Sequence, residues 1–343
     1  MVKASTSNVA VVIPNWNGKD DLPACLDSLQ AQSLVPHIIV VENGSTDGSA
    51  ELVTKKYPYV TLLPQSKNLG FAGGVNVGIT YALEHDFEYI ALFNNDAVAD
   101  RDWLKELMHA LAENPKAGIA TCKLISFDKK HLDSTGDLYT VWGLPYPRGR
   151  GEQVSDTYDK QTEIFGASGG ASLYRASMLQ RVGLFDEKFF AYYEDVDISF
   201  RAQIAGWKIV FAPKAIAYHK IGATSSRIKG FATYQTMKNL PMIFWKNVPW
   251  SLVPVVLPRL LIAYWSIMAS SILQGRGWPA FKGLLVHLKN HPHIFRERRE
   301  IQRSRVVSDE YIWNIMTHDL PPNAHKLRTL RAKWWKLRRS KAK

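Results

Sequence analysis

Short apolar runs alternate with polar turns along the first third of the chain. Residues 9–13 are uniformly apolar and end at Pro14-Asn15-Trp16-Asn17-Gly18, a turn-rich exit. Asp20 or Asp21 caps a following helix, in which Leu22, Leu26 and Leu29 recur at i, i+4 and i+7. A second apolar run, 37–41, empties into Glu42-Asn43-Gly44-Ser45-Thr46-Asp47-Gly48 and a helix that Pro58 stops. The run 60–63 leads to Lys67-Asn68-Leu69-Gly70-Phe71-Ala72-Gly73-Gly74 and a helix reaching about His85. Residues 89–93 make a fourth strand, and 117–125 supply another. Strand, polar turn and helix thus repeat three times before residue 89. That pattern predicts an α/β fold with a mainly parallel sheet and right-handed crossovers.

The polar exits all follow strands, so they fall on one edge of such a sheet, where open α/β sheets bind ligands. Glu42, the glycine-rich turn and Asp96 therefore converge on one cleft. Residues 89–96 read Tyr-Ile-Ala-Leu-Phe-Asn-Asn-Asp: a buried strand running straight into two amides and a carboxylate. A lone carboxylate among neutral oxygen donors suits a hard divalent cation that also holds phosphate oxygens. The alternative is an Asx turn that caps the next helix. The glycines at 70, 73 and 74 are spaced G-x-x-G-G, not G-x-G-x-x-G. They let backbone N–H groups approach a phosphate or sugar, or they supply positive φ in a turn.

Residues 127–163 are polar, contain Pro and Gly, and keep no period, which predicts a lid, a binding loop or partial disorder. Small residues from Gly166 to Ala171 line a cleft wall without filling it. The most chemical stretch is 189–201, where Glu194, Asp195 and Asp197 follow an aromatic run. A helix starts at Glu194 or Asp195 and ends at Gly206. Acids in a first turn complement the helix dipole. Clustered carboxylates beside aromatic walls also raise one another's proton affinity, and such a group works as a general base. Residues 207–213 and 215–219 read as strands that leave His219 at a strand end, a position that on its own reads as structural.

From about Met237 the pattern changes. Pro249, Pro254 and Pro258 interrupt an apolar region, and residues 260–273 are uncharged over only fourteen positions, short of the roughly twenty a membrane span needs. Trp245, Trp250, Trp265 and Trp278, with Lys246, Arg259 and Arg276, fit either interfacial helices lying on a bilayer or a packed helical subdomain.

Composition bounds these readings. Hydrophobic content of 46% with 22% charged residues is ordinary for a globular protein. Cys25 and Cys122 lie far apart, which argues for a reduced, cytosolic setting and against a disulfide framework or a zinc site. The N-terminal apolar run is too short for a signal peptide, so export is not expected. The net charge of +12 concentrates in residues 331–343, with seven Lys/Arg, no acid, and Trp334 and Trp335. Such a tail suits an anionic membrane surface, a nucleic acid, or plain solvation.

Five stretches in register resemble glycosyltransferase family 2, the inverting GT-A enzymes, and especially its bacterial rhamnosyltransferase-like members. They are residues 11–18 (VVIPNWNG), 41–49 (VENGSTDGS), 68–78 (NLGFAGGVNVG), 93–96 (FNND) and 189–201 (FFAYYEDVDISFR). The resemblance spans about residues 8–222 and implies a GT-A, Rossmann-like domain over 1–222. A helical, membrane-associated extension with a basic tail would follow over 223–343. Glu42 matches an acid that contacts the nucleotide, although aspartate is commoner there. Asn94–Asp96 occupies the DxD position with Asn94 replacing its first acid, which leaves Asp96 as the principal metal ligand and Asn94 as a ribose or sugar contact. Asp195 matches the general base, and His219 a second metal ligand. Pro14, Asn15, Asn17, Asn68, Gly70, Gly74, Asn76, Asn95 and Glu194 fall at substrate-binding positions.

The implied activity is metal-dependent (Mg²⁺ or Mn²⁺) transfer, with inversion, of a sugar from a nucleotide-diphosphate donor. Rhamnose from dTDP-rhamnose is the expected sugar, with galactofuranose or N-acetylhexosamine as the alternatives. The acceptor would be a lipid-linked glycan, presented at the cytoplasmic, anionic face of a bacterial inner membrane. No nucleic-acid partner is expected. A nicotinamide oxidoreductase is disfavoured by the glycine spacing, and a non-enzymatic binding protein leaves the cleft carboxylates unexplained.

Overall fold

Alternate residues of each central strand enter different cores. Val9, Val11 and Ile13 of the first strand join one apolar cluster, while Ala10 and Val12 join another. Ile38 and Val40 part from Ile39 and Val41 in the same way, as do Ala91 and Phe93 from Ile90 and Leu92. A period of two with both faces apolar is what a sheet covered by helices on each side requires. The computed structural model, which describes residues 8–220, 228–322, 324, 328 and 329, has that architecture.

The repeating units are β1 (Val9–Asn15), α1 (Leu22–Gln30), β2 (His37–Asn43), α2 (Ser49–Lys56), β3 (Thr61–Gln65), α3 (Gly70–Glu84) and β4 (Tyr89–Phe93). Strand β1 pairs in parallel with both β2 and β4, and β2 with β3. The chain order reverses direction beside β1, so the crevice between the ends of β1 and β4 is a topological switch point.

The rest of the sheet departs from simple repetition. After β5 (Ala97–Ala99) and α4 (Trp103–Glu113) comes β6 (Ala117–Ser126). The stretch 127–163 is folded, not loose: β7 (Leu132–Ser134) pairs with β6, β8 (Asp137–Tyr139) pairs with β9 (Pro145–Pro147), and β10 (Thr162–Glu163) takes the sheet edge. Strands of three residues or fewer are too short to show a period, which is why the sequence reads as irregular there. β11 (Ala171–Arg175) inserts antiparallel between β4 and β6. α5 (Ala176–Val182) and α6 (Glu194–Ile204) follow. The two strands expected over 207–219 are one, β12 (Lys208–His219), parallel to β6 with a register shift between Ala212 and Ile216.

Five helices complete the chain: α7 (Phe231–Asn247), α8 (Val253–Leu273), α9 (Gly277–Lys289), α10 (His291–Arg303) and α11 (Asp309–Ile315). They share a third core with the preceding half of the chain, in which Tyr139, Phe165, Phe189, Val196 and Phe200 pack with Met237, Phe244, Val256 and Leu260. Helix α8 is longer than the sequence suggests, and with its lead-in (Trp250–Leu273) it is long and apolar enough to cross a membrane by length and composition. One of its faces, however, lies in this core through Val256, Leu260, Ala263 and Met268. The basic tail, 331–343, lies outside the described residues.

Candidate active site

The strand exits meet as expected, and side-chain hydrogen bonds connect them. Asn15 is fully buried at the end of β1; its amide nitrogen donates to Glu42 Oε2 (2.9 Å) at the end of β2. Its carbonyl accepts from Asn95 Nδ2 (2.7 Å) beyond β4, so one asparagine ties three exits across the switch point. Gly18 leaves room for this: a Cβ there would sit 2.0 Å from Asn95 Nδ2. Glu42 also accepts from Ser45 Oγ and from Ser49 Oγ (2.9 Å). Asn17 is in the left-handed region (φ 51°); its backbone N–H donates to Ser45 Oγ and its side chain accepts from Thr46 N. Pro14 stands beside this chain, paired in register with Val41.

The glycine-rich segment forms the first turns of α3 and is not a free loop. Asn43 organises its entry: Oδ1 accepts from Leu69 N (2.9 Å) while Nδ2 donates to Gly70 O (2.9 Å). Asn68 Oδ1 accepts from Gly70 N (2.8 Å). Gly74 packs on Pro14 and Asn43. Asn76 sits deeper, its carboxamide bracketing the backbone of Phe185 through Nδ2→O (2.8 Å) and N→Oδ1 (3.0 Å). Its polar atoms are engaged by the frame of the cleft.

At the end of β4, Asp96 Oδ1 lies 3.1 Å from His219 Nε2, and Asn94 Nδ2 lies 3.1 Å from the same nitrogen. Antiparallel pairing of β5 with the end of β12 makes this contact, with His219 opposite Ala97. The other ring nitrogen, Nδ1, is 2.7 Å from Asp133 Oδ2 on β7. Burial lowers the proton affinity of His219, but its bonds to Asp133 and Asp96 outweigh that and push its pKa up to about 9. Burial pushes Asp133 up, yet the His219 bond and the Arg150 charge hold it below the usual carboxylate range. Arg150 reaches Asp133 Oδ1 at 2.7 Å. Nothing in the sequence singles out Asp133, one aspartate in a stretch without a period.

Asp195 stands in the first turn of α6. Its carboxylate accepts from Gly169 N (2.9 Å) and Val196 N (2.8 Å). The neighbouring glycine, Gly170, accepts from Asn94 N (2.9 Å) through its carbonyl. Gly169 and Gly170 thereby bridge the Asp96–His219 side of the cleft to Asp195. Burial raises the Asp195 carboxyl above its ordinary value, against the pull of the Gly169 and Val196 N–H groups. Burial and the Asp195 charge raise Glu194 well above the usual range, and its Oε2 has no partner among the described residues. Asp137, on β8, is raised likewise by burial and by Asp195.

The third acid of the trio goes elsewhere. Asp197 is fully buried and binds Arg201 Nε (3.0 Å), Lys246 Nζ (2.9 Å) and Asn247 Nδ2 (2.8 Å). Lys246 also reaches Asp186 (2.6 Å), which His293 meets at 2.9 Å. This network bolts α6 to α7 and α10.

A model of glycosyl transferase family 2 matches residues 10–183, about half of the chain and most of the parallel sheet. The chain belongs to glycosyl transferase family 2. Similar proteins include the N-acetylglucosaminyl-diphospho-decaprenol L-rhamnosyltransferase of Mycobacterium tuberculosis, 28% identical over 64% of this chain and 78% of the relative. The dTDP-rhamnosyl transferase RfbF of Shigella flexneri is 26% identical over 65% and 73%. Galactofuranosyltransferase GlfT1 of M. tuberculosis is 26% identical over 64% and 72%. Among solved structures, the mannosyltransferase PcManGT from Pyrobaculum calidifontis with GDP-Man and Mn²⁺ superposes with a TM-score of 0.53 (16% identity, 89% of this chain, 84% of that one). S. aureus TarS 1-349 with UDP-GlcNAc gives 0.52 (15%, 90%, 83%). At these identities the structures establish the fold, GT-A, and no more.

Proposed function

We propose that this family 2 glycosyltransferase moves rhamnose from dTDP-rhamnose to a hydroxyl of a lipid-linked glycan, with inversion and with a divalent ion, Mg²⁺ or Mn²⁺. The observation that supports the reading is the bridge Asn94–Gly170–Gly169–Asp195, which links the turn that carries Asp96 to Asp195; in this reading the first is the diphosphate-binding side and the second the base.

The donor set fits a hard cation. Asp96 would supply one oxygen, and His219, oriented by Asp133, would supply Nε2; such carboxylate–histidine pairs fix a metal-binding ring. Among the described residues no three His, Cys, Asp or Glu side chains form a metal cluster by themselves. Two such ligands would leave room for diphosphate oxygens to complete the ion's coordination. When bound, such an ion neutralises charge that develops on the departing diphosphate. Glu42, anchored by Asn15, Ser45 and Ser49 at the end of β2, would contact the nucleoside. Asp195, its proton affinity raised by burial, takes the acceptor proton as the hydroxyl attacks. Attack from the face opposite the leaving group inverts the anomeric carbon.

Two relatives named for rhamnose and one named for a diphospho-decaprenol acceptor support the substrates; the galactofuranosyltransferase relative supports galactofuranose as the second reading. The outer faces of α8 and α9 support a monotopic place on the cytoplasmic membrane leaflet. Trp250, Trp265, Leu273 and Trp278 are exposed there, with Leu273 at 83%. No Asp or Glu occurs between Asp197 and Glu297, a stretch with thirteen Lys and Arg. Residues 253–289, which include α8 and α9, carry Arg259, Arg276, Lys282 and Lys289 and no acid, and an apolar face beside basic residues suits anionic lipid. We assign residues 1–222 to the transferase fold and 223–343 to this extension.

The test is a donor panel (dTDP-rhamnose, UDP-galactofuranose, UDP-N-acetylglucosamine) with a polyprenyl-diphosphate glycan and Mn²⁺ or Mg²⁺, reading release of nucleoside diphosphate. Release from dTDP-rhamnose, abolished by chelator, is expected. Release only from UDP-galactofuranose favours the second reading, and release from none refutes both.

A further inference from the structure

The loop that delivers Asp195 is strained. Phe190, Tyr192 and Tyr193 all lie in the left-handed region, at φ 63°, 69° and 72°. Phe190 is also the centre of a γ-turn of the rare positive-φ kind: its ψ is −60°, and Ala191 N donates to Phe189 O at 2.7 Å. Bulky residues hold such conformations only where the surroundings over-determine them. Gly70 adds to the constraint, because a Cβ there would lie 2.4 Å from Phe190 O, and Ala72 N donates to that oxygen at 3.2 Å.

The opposing restraint comes from α7. Asn239 is fully buried, and its Nδ2 donates to three carbonyls of the loop: Phe189 (3.0 Å), Ala191 (2.9 Å) and Tyr192 (2.8 Å). Two N–H bonds thus serve three acceptors. Lys238 Nζ adds a bond to Phe189 O at 3.0 Å. Asn239 Oδ1 has no partner among the described residues, so this buried amide is used as a donor alone.

We infer that Asn239 is a positioning residue for Asp195: it holds the 189–193 loop in its left-handed path, and the catalytic unit therefore extends beyond residue 222 through α7. The inference rests on the reading of Asp195 as the base. Asp195 is two residues past Tyr193, so relaxation of the loop displaces its carboxylate from Gly169. A misplacement of about 1 Å costs on the order of a hundredfold in rate. The Asn15–Glu42–Asn95 links between β1, β2 and the end of β4 do not pass through this loop.

The experiment compares the full-length wild type with Asn239→Ala by amide hydrogen exchange and by steady-state transfer from dTDP-rhamnose. Exchange at residues 190–195 should accelerate at least tenfold while β1 and β4 keep their protection. kcat should fall ten- to a hundredfold with donor KM within twofold. Unchanged exchange at 190–195, or a loss confined to KM, overturns the inference. Should the variant lose protection throughout, Lys238→Met, which removes one bond to Phe189 O, decides the question by the same two readouts with a smaller expected change. A wild type inert towards every nucleotide sugar refutes the proposed reaction, whereas the exchange comparison still decides the clamp.

Discussion

The two sides of the cleft are built in different ways. On the proposed donor side, Asn15, Glu42, Asn94, Asn95 and Asp96 come within three residues of a strand end, and one buried asparagine, Asn15, links Glu42 to Asn95. On the proposed base side, Asp195 follows a strained loop gripped by Asn239, more than forty residues further along the chain. The first side is a property of the sheet, while the second depends on the C-terminal helices docking. Substitutions on the donor side should therefore damage ligand binding in an intact fold, and substitutions beneath the base side should damage turnover or stability.

The largest effect expected is at Asp96. Asp96→Ala should abolish metal-dependent donor binding in calorimetry with an unchanged melting curve. Equal donor affinity in variant and wild type, with and without chelator, would break the comparison on its first side. Next comes Lys246, which neutralises Asp186 and Asp197 at the α6–α7 joint. Lys246→Met leaves two buried carboxylates without that partner and should cost about 3–5 kcal/mol in denaturant unfolding. A loss below about 1 kcal/mol would show that the joint does not support the base side. Asp133→Ala removes the acceptor that fixes the His219 ring; Mn²⁺ affinity should fall about 10- to 100-fold.

The smallest effect concerns the lipid face. Lys282→Gln should weaken partition onto anionic vesicles by about 1 kcal/mol at low salt and by much less at high salt. Vesicle binding that is indifferent to both charge and salt contradicts the membrane reading.

This contrast also explains what the sequence revealed. The parallel units were legible because each strand is an apolar run closed by Gly, Asn or Asp, and the donor-side residues ride on those closures. The antiparallel insertion of β11 was not legible, because an apolar strand carries no sign of its direction. Asp133 and Asp137 were missed because strands of three residues show no alternation. The trio Glu194, Asp195 and Asp197 read as one cluster, yet helical geometry turns Asp197 into the buried network with Arg201 and Lys246. Asn239 gave no signal at all, since its partners are backbone carbonyls that any sequence supplies.

Asp195→Asn tests the account most directly, because it removes the base and leaves a side chain of the same shape. Donor binding and single-turnover transfer should be measured on the same preparation with Mn²⁺. The account predicts donor affinity within about twofold of the wild type and a rate lower by at least about a hundredfold. Turnover retained in Asp195→Asn but lost in Glu194→Gln would contradict it and move the base one residue along α6.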